Sequence, residues 1–335
     1  MEYEKKKISV VIPVYNAEKF IKRTMESIHN QTYSNWECLL VNNNSTDKSE
    51  EIIISQMAEY DDGRFSILHE SKKGPAFARN CGIEKACGEF LVFVDADDIV
   101  ETKYLENLVN AFDEDIDMCV CGYKTHFDEH YTEESPDEKK KVRTNYEMIK
   151  RLFETKYYQG YLWNKMFRKE VIDNNQLRFS ENISFNEDRL FLVQYLLDSE
   201  KVKCIDDHLY IYWMHDESLM SGFREGYSIT EKETTEFAAF LEMLKLLEDS
   251  EELYKIVEYD MIVSELRMFK RIIGPKSFFA YRKNAFRKYA KDAAKRNFSS
   301  EEPYAELLFS LLKRYAATGC TYTRNPQLFD KVGVL

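Results

Sequence analysis

Residues 90–98 read FLVFVDADD. Five apolar residues without a polar alternation are the pattern of a strand buried on both faces. Asp95, Asp97 and Asp98 follow at once. They therefore stand at the carboxyl end of the strand, the edge of an open α/β sheet where ligands bind. Hard carboxylate oxygens at that edge suit Mn²⁺ or Mg²⁺, and either ion suits a diphosphate. Acids after a strand also serve as helix caps. The density of three acids in four positions behind an unbroken apolar run favours the metal.

Outward from this stretch the same alternation recurs. Residues 8–14 form another apolar, β-branched run, and 17–30 place Phe20, Ile21, Met25 and Ile28 at helical spacing. Residues 37–41 and 65–68 read as strands, 75–86 as a helix, and Ser45 and Thr46 as N-caps of a helix running through Met57. Repeated strand–helix units predict an α/β fold with a mainly parallel central sheet. A weaker strand is expected at 116–121, a charged loop or hairpin tip at 128–141, and short strands at 202–205 and 209–213. Beyond Ile229 nearly everything has helical period, with breaks near Ser250, at Gly274-Pro275 and at 299–303.

Composition narrows the function. Against 59 acidic residues stand 47 Lys and Arg, a net charge of −12, which argues against nucleic acid as a partner. Seven cysteines without a CxxC pair indicate neither a disulfide framework nor a zinc site, and a reduced cytoplasmic compartment fits. The first apolar stretch is too short for a signal peptide or a membrane span.

Three segments, ISVVIPVYNAEKF (8–20), QTYSNWECLLVNNNSTDKS (31–49) and GPAFARNCGIEKACGEFLVFVDADD (74–98), resemble in sequence and order the nucleotide-binding half of glycosyltransferase family 2, with its GT-A fold. The resemblance implies a GT-A domain over 1–225, split into a nucleotide-binding half (1–115) and an acceptor and catalytic-base half (116–225). A helical extension would occupy 226–335. It implies that Pro13, Val14 and Tyr15 shape the loop under the base, that Arg79 sits near the nucleotide or its phosphates, and that Asp95 and Ala96 lie at the sugar nucleotide. Asp97 would be the principal metal ligand. Where the family often has Asp-Asp-Gly-Ser-Thr-Asp, this chain has Asn42-Asn43-Asn44-Ser45-Thr46-Asp47. Asn43 would then accept the uracil N–H through its carbonyl, or the three asparagines are turn chemistry.

The second half supplies FNEDRLF (185–191), which resembles the family's Glu-Asp motif at a helix start. By that resemblance Asp188 is the general base of an inverting transfer, with Glu187 beside it; alone, the pair would read as helix-start acids. GYLWNKMF (160–167) resembles an acceptor-side segment. There Trp163 would stack on a sugar or pack in the core, and Lys165 would reach a phosphate or carboxylate, with Asp98 a further secondary residue. His215 follows LYIYWM, where relatives carry a histidine that completes the metal shell.

Residues 267–296 hold eleven Lys or Arg against the single acid Asp292, interleaved with aromatics. Such a helix lies on an anionic membrane surface, at the inner face of the plasma membrane, or packs its aromatic face on the protein. The implied function is transfer from a nucleotide diphosphate sugar, UDP favoured, to a glycan or lipid-linked glycan acceptor of the cell surface. The rivals are a nucleotidyltransferase, which lacks its Gly-rich loop in PVYNAEKF, and a non-catalytic nucleotide-sugar-binding scaffold.

Overall fold

The unbroken apolar runs become the inner strands of a sheet. The computed structural model describes residues 6–127, 130–134, 142–154, 160–215 and 231–273. Strands β1 (Ile8–Val14), β2 (Trp36–Asn42), β3 (Phe65–His69) and β4 (Phe90–Phe93) alternate with helices α1 (Ile21–His29), α2 (Ser49–Tyr60) and α3 (Pro75–Lys85). They pair in parallel in the order β3-β2-β1-β4. Their carboxyl ends therefore share one edge.

Beyond β4 come β5 (Ile99–Val100), α4 (Tyr104–Val109), β6 (Met118–Phe127), β7 (His130–Glu134), β8 (Val142–Thr144) and α5 (Asn145–Glu154). After these follow β9 (Lys165–Arg168), α6 (Lys169–Asn174), α7 (Glu187–Leu197) and β10 (Lys201–Trp213). The sheet continues β4-β9-β6-β10-β5, with β9 antiparallel to both neighbours and β6 parallel to β10. This mixed half differs from the sequence expectation in two places. β9 went unread because four residues headed by a lysine give no period of two. The two short strands near the carboxyl end are one strand, β10, whose register shifts around His208 bridge the polar Asp206-Asp207. The expected hairpin tip falls partly on β7, which pairs with β6, and partly outside the described residues. α2 starts at Ser49 rather than after Ser45 or Thr46, because Asp47 Oδ1 accepts the Ser49 amide at 3.0 Å.

One face of the sheet packs Ile8, Val10 and Ile12 of β1 against Ile21, Met25 and Ile28 of α1 and Leu105 and Leu108 of α4. On β4, Phe93 meets Phe167, Phe179 and Phe191 edge-on with centroids 5.5–6.3 Å apart. Phe179 and Phe191 stack at 4.2 Å. Each such pair contributes roughly 0.5–1.5 kcal/mol beyond area burial, which seats α7 on the sheet. α3 approaches β1 closely at Gly82, where an added Cβ would fall on the Val11 side chain. Arg79 lies one turn earlier on the same face of α3.

The chain divides into two compact units, Met1–Ser218 and Leu219–Leu335. In the second, α8 (Glu231–Leu246) and α9 (Glu251–Ile273) contribute buried Phe240, Met243, Val257 and Met261, and Ser264 Oγ donates to Glu236 Oε2 at 2.7 Å. Among the described residues no helix is long and apolar enough to cross a membrane. Most of the basic segment 267–296 lies outside the described residues.

At the edge opposite the aspartates, Glu37 joins three segments. Its carboxylate accepts from Lys7 Nζ (2.7 Å), Ser9 Oγ (2.6 Å) and Cys87 N (2.7 Å). Burial pushes its proton affinity up, but these hydrogen bonds together with Lys7 hold its pKa below the ordinary value. A depressed carboxylate stabilises the fold above its unfolded pKa and loses that contribution as pH falls through the folded one. Glu37→Gln should therefore cost about 1–3 kcal/mol at neutral pH. The deficit should shrink below about pH 4, as the wild-type carboxylate is protonated. Urea unfolding of both proteins across that range measures it; a deficit independent of pH would contradict the assignment.

Candidate active site

The parallel strands deliver three loops to one edge. After β1, Pro13 and the buried Val14 lead to Tyr15, which is 56% exposed, and to Asn16 at φ +49°. Asn16 Oδ1 accepts the Thr46 amide at 2.8 Å, tying this loop to the one after β2. After β4 come Asp95, Ala96, Asp97 and Asp98. α1 holds this loop by its backbone: Arg23 Nη2 donates to Asp97 O at 2.6 Å, and Thr24 Oγ1 lies 2.9 and 2.8 Å from the carbonyls of Ala96 and Asp98. No periodicity or motif marked Arg23 or Thr24 for this task.

Arg79 of α3 organises the edge. Its Nη1 is 2.8 Å from Asp188 Oδ1 and 3.1 Å from Glu187 Oε1, and its Nη2 is 3.8 Å from Asp95 Oδ1. Glu187 and Asp188 open α7 directly after Asn186, whose φ of +62° suits asparagine. The sequence expected Arg79 at a nucleotide; the structure adds that it bridges the β4 acids to the α7 acids. Arg79 faces three carboxylates and pairs with all of them. Burial, then the neighbouring acids, push Asp95 up to about 6 and Asp188 well above the carboxylate range, with Arg79 pulling both down. The Arg79 guanidinium itself is held firmly charged by its acids despite burial. With its side chain 28% exposed and its proton affinity raised, Asp188 can accept a proton from a bound hydroxyl.

His215, just past β10, meets the aspartate loop: its Nε2 is 2.9 Å from Asp97 Oδ2. Among the described residues no three His, Cys, Asp or Glu side chains form a metal cage. The pair nevertheless fits Mn²⁺ or Mg²⁺. Such ions are commonly held by one or two protein ligands, the remaining positions being filled by substrate phosphates and water.

Four of the expected site residues are bonded or packed within the protein. Asn43 is 5% exposed, with Oδ1 accepting from Gly74 N (2.8 Å) and Nδ2 donating to the carbonyls of Glu70 and Lys72. These bonds clamp the loop before α3. Trp163 is 6% exposed and stacks on Tyr210 at 4.3 Å and Tyr161 at 4.8 Å, so it packs in the core and offers no platform for a sugar. Lys165 is fully buried, its Nζ donating to Tyr161 O (2.5 Å) and Asn164 Oδ1 (2.8 Å). Burial lowers its pKa to about 7, against the raising effect of Cys121, Cys204 and Asp188. Asp98 is also fully buried, bonded to Tyr210 and Trp213.

The model of the family described as "Glycosyl transferase family 2" matches residues 9–175. EpsH of Bacillus subtilis (strain 168) is 31% identical over 255 residues, 72% of this chain and 71% of that protein. Among solved structures, S. aureus TarS 1-349 in complex with UDP-GlcNAc superposes with a TM-score of 0.62 at 19% identity, covering 93% of this chain and 92% of that one. The mannosyltransferase PcManGT from Pyrobaculum calidifontis, in complex with GDP-Man and Mn²⁺, does so at 0.56 and 15%, covering 98% and 86%. These likenesses establish the GT-A fold.

The Arg79 cluster makes a stability prediction. Removing one partner of a buried ion cluster leaves uncompensated charge, so Arg79→Met should destabilise the protein by about 3–5 kcal/mol at pH 7. The deficit should lessen as pH falls and Asp95 and Asp188, both raised by burial, take up protons. Guanidinium unfolding at pH 5 and pH 8 reads both; a loss under about 1 kcal/mol at pH 8 would mean the cluster is not held by Arg79.

Proposed function

Because the chain belongs to glycosyltransferase family 2, we propose that it moves a sugar from a nucleoside diphosphate sugar to an acceptor hydroxyl of a cell-surface glycan or lipid-linked glycan, with inversion at the anomeric carbon. The observation carrying this reading is the Asp188 carboxylate, joined through Arg79 to Asp95 at the sheet's carboxyl edge. It supports a base standing beside the donor. Asp188 takes the acceptor proton as the hydroxyl oxygen bonds to the anomeric carbon, and the bond to the diphosphate oxygen breaks with its electron pair leaving on the diphosphate. One base opposite the leaving group makes this a single displacement.

Asp97 and His215 would hold Mn²⁺ or Mg²⁺, which offsets charge on the diphosphate when bound. The UDP-GlcNAc complex of TarS favours UDP as the donor nucleotide, and the Mn²⁺ complex of PcManGT favours a metal. Tyr15, exposed after β1, would meet the nucleotide base. The work would be done in the cytoplasm, at the inner membrane face if residues 267–296 bind anionic lipid.

Asp188→Asn separates chemistry from binding. Transfer should fall by a factor of about 10² to 10⁴, with metal-dependent UDP affinity nearly unchanged. Asp97→Ala should instead lose metal-dependent UDP binding while remaining folded, since its carboxylate is partly exposed and adds little packing. Calorimetry and a transfer assay on both variants, with NMR of the product anomer, test the reading. Near-native transfer by Asp188→Asn, or a product of retained configuration, would overturn it.

A further inference from the structure

The metal reading leaves unexplained what holds His215 in place. A metal-binding histidine ordinarily donates its second ring N–H to a carboxylate, carbonyl or water, which fixes the ring. Here Nδ1 of His215 is buried and meets no hydrogen-bond partner among the described residues. The ring must be oriented through its backbone and its packing.

Both are visible. Asp98 lies one residue after Asp97, and its fully buried carboxylate reaches across to β10. Its Oδ2 accepts the Tyr210 hydroxyl at 2.6 Å, and its Oδ1 accepts the Trp213 amide at 2.8 Å, two residues before His215. The Tyr210 oxygen in turn accepts the Asp95 amide at 3.2 Å. The carboxyl end of β10 is thus bonded directly to the loop that carries Asp97. On the other side, Phe20 lies against the His215 ring with centroids 4.2 Å apart. The Arg23 guanidinium, donating to Asp97 O, lies 4.0 Å over the Trp213 ring.

We propose that Asp98 and Tyr210 are positioning residues for the metal pair, holding His215 against Asp97 by bonding the end of β10 to the aspartate loop. This rests on the reading of Asp97 and His215 as metal ligands. Both side chains are fully buried, so neither would touch the ion or the substrate. Their effect passes through His215, so it should vanish when His215 is absent, whereas a general structural role would persist.

Tyr210→Phe is the discriminating variant, because it removes one hydroxyl and keeps the ring packed between Trp163 and Tyr104. Binding of Mn²⁺ to the full chain, with saturating UDP, is followed by the electron paramagnetic resonance of the free ion. The set is wild type, Tyr210→Phe, His215→Ala and the double variant, with near-ultraviolet circular dichroism to confirm packing. Tyr210→Phe should weaken Mn²⁺ binding by about 10–100-fold, the usual cost of losing an outer-shell partner. It should add less than about twofold in the His215→Ala background, since coupled residues are non-additive. Unchanged Mn²⁺ affinity in Tyr210→Phe, or an equal loss with and without His215, would overturn the positioning role. If His215→Ala itself binds Mn²⁺ as wild type does, the metal reading fails, and the positioning role falls with it.

Discussion

A single buried guanidinium has to balance three carboxylates, and much of the site depends on that imbalance. Asp95 arrives from the end of β4, whereas Glu187 and Asp188 arrive from the start of α7, some ninety residues later. At separations near 4 Å, like charges in a protein interior repel by about 4 kcal/mol even at an effective dielectric of 20. Arg79 makes their approach tolerable without fully neutralising them. Burial first, and then the neighbouring acids, raise the proton affinity of Asp188. The guanidinium reaches this position because α3 lies close on β1 at Gly82, where a larger side chain would collide with Val11.

The same edge is closed from its other side by a carboxylate with a different task. Asp97 and Asp98 are neighbours in sequence and opposite in environment: one side chain is 35% exposed and faces His215, and the other is fully buried and bonded to β10. α1 completes the arrangement by bonding consecutive loop carbonyls through Arg23 and Thr24. The acid-rich loop is therefore braced by backbone bonds, which leaves the Asp97 carboxylate available at the ligand edge. β9, inserted antiparallel between β4 and β6, joins the parallel strands to β6, which in turn pairs with β10, the strand that leads to His215.

The parallel half of the sheet could be read from the chain because buried strands need continuous apolar runs, and those runs ended in acids. The order of motifs, from the first strand to FNEDRLF, carried the family. What could not be read was the partner each polar side chain would choose. Asn43 looked suited to a base and bonds the Glu70 and Lys72 carbonyls. Trp163 looked suited to a sugar and lies among tyrosines. The Asn43 carbonyl partners and Tyr210 beside Trp163 come from other segments of the chain, which no local pattern encodes.

By itself, then, the sequence determined the strand–helix alternation, the placing of Asp95, Asp97 and Asp98 at a strand end, and the membership of glycosyltransferase family 2. These follow from hydrophobic period and residue order, both local properties of the chain. Only the tertiary structure decided that Arg79 joins Asp95 to Glu187 and Asp188, that His215 meets Asp97, and that Asp98 turns inward to Tyr210 and Trp213. Apart from Arg79 with Asp95, those contacts link residues 108 to 118 positions apart. Burial and charge balance select such partners after the chain has closed, when a polar group leaving water must find whichever donor or acceptor the fold has brought within reach.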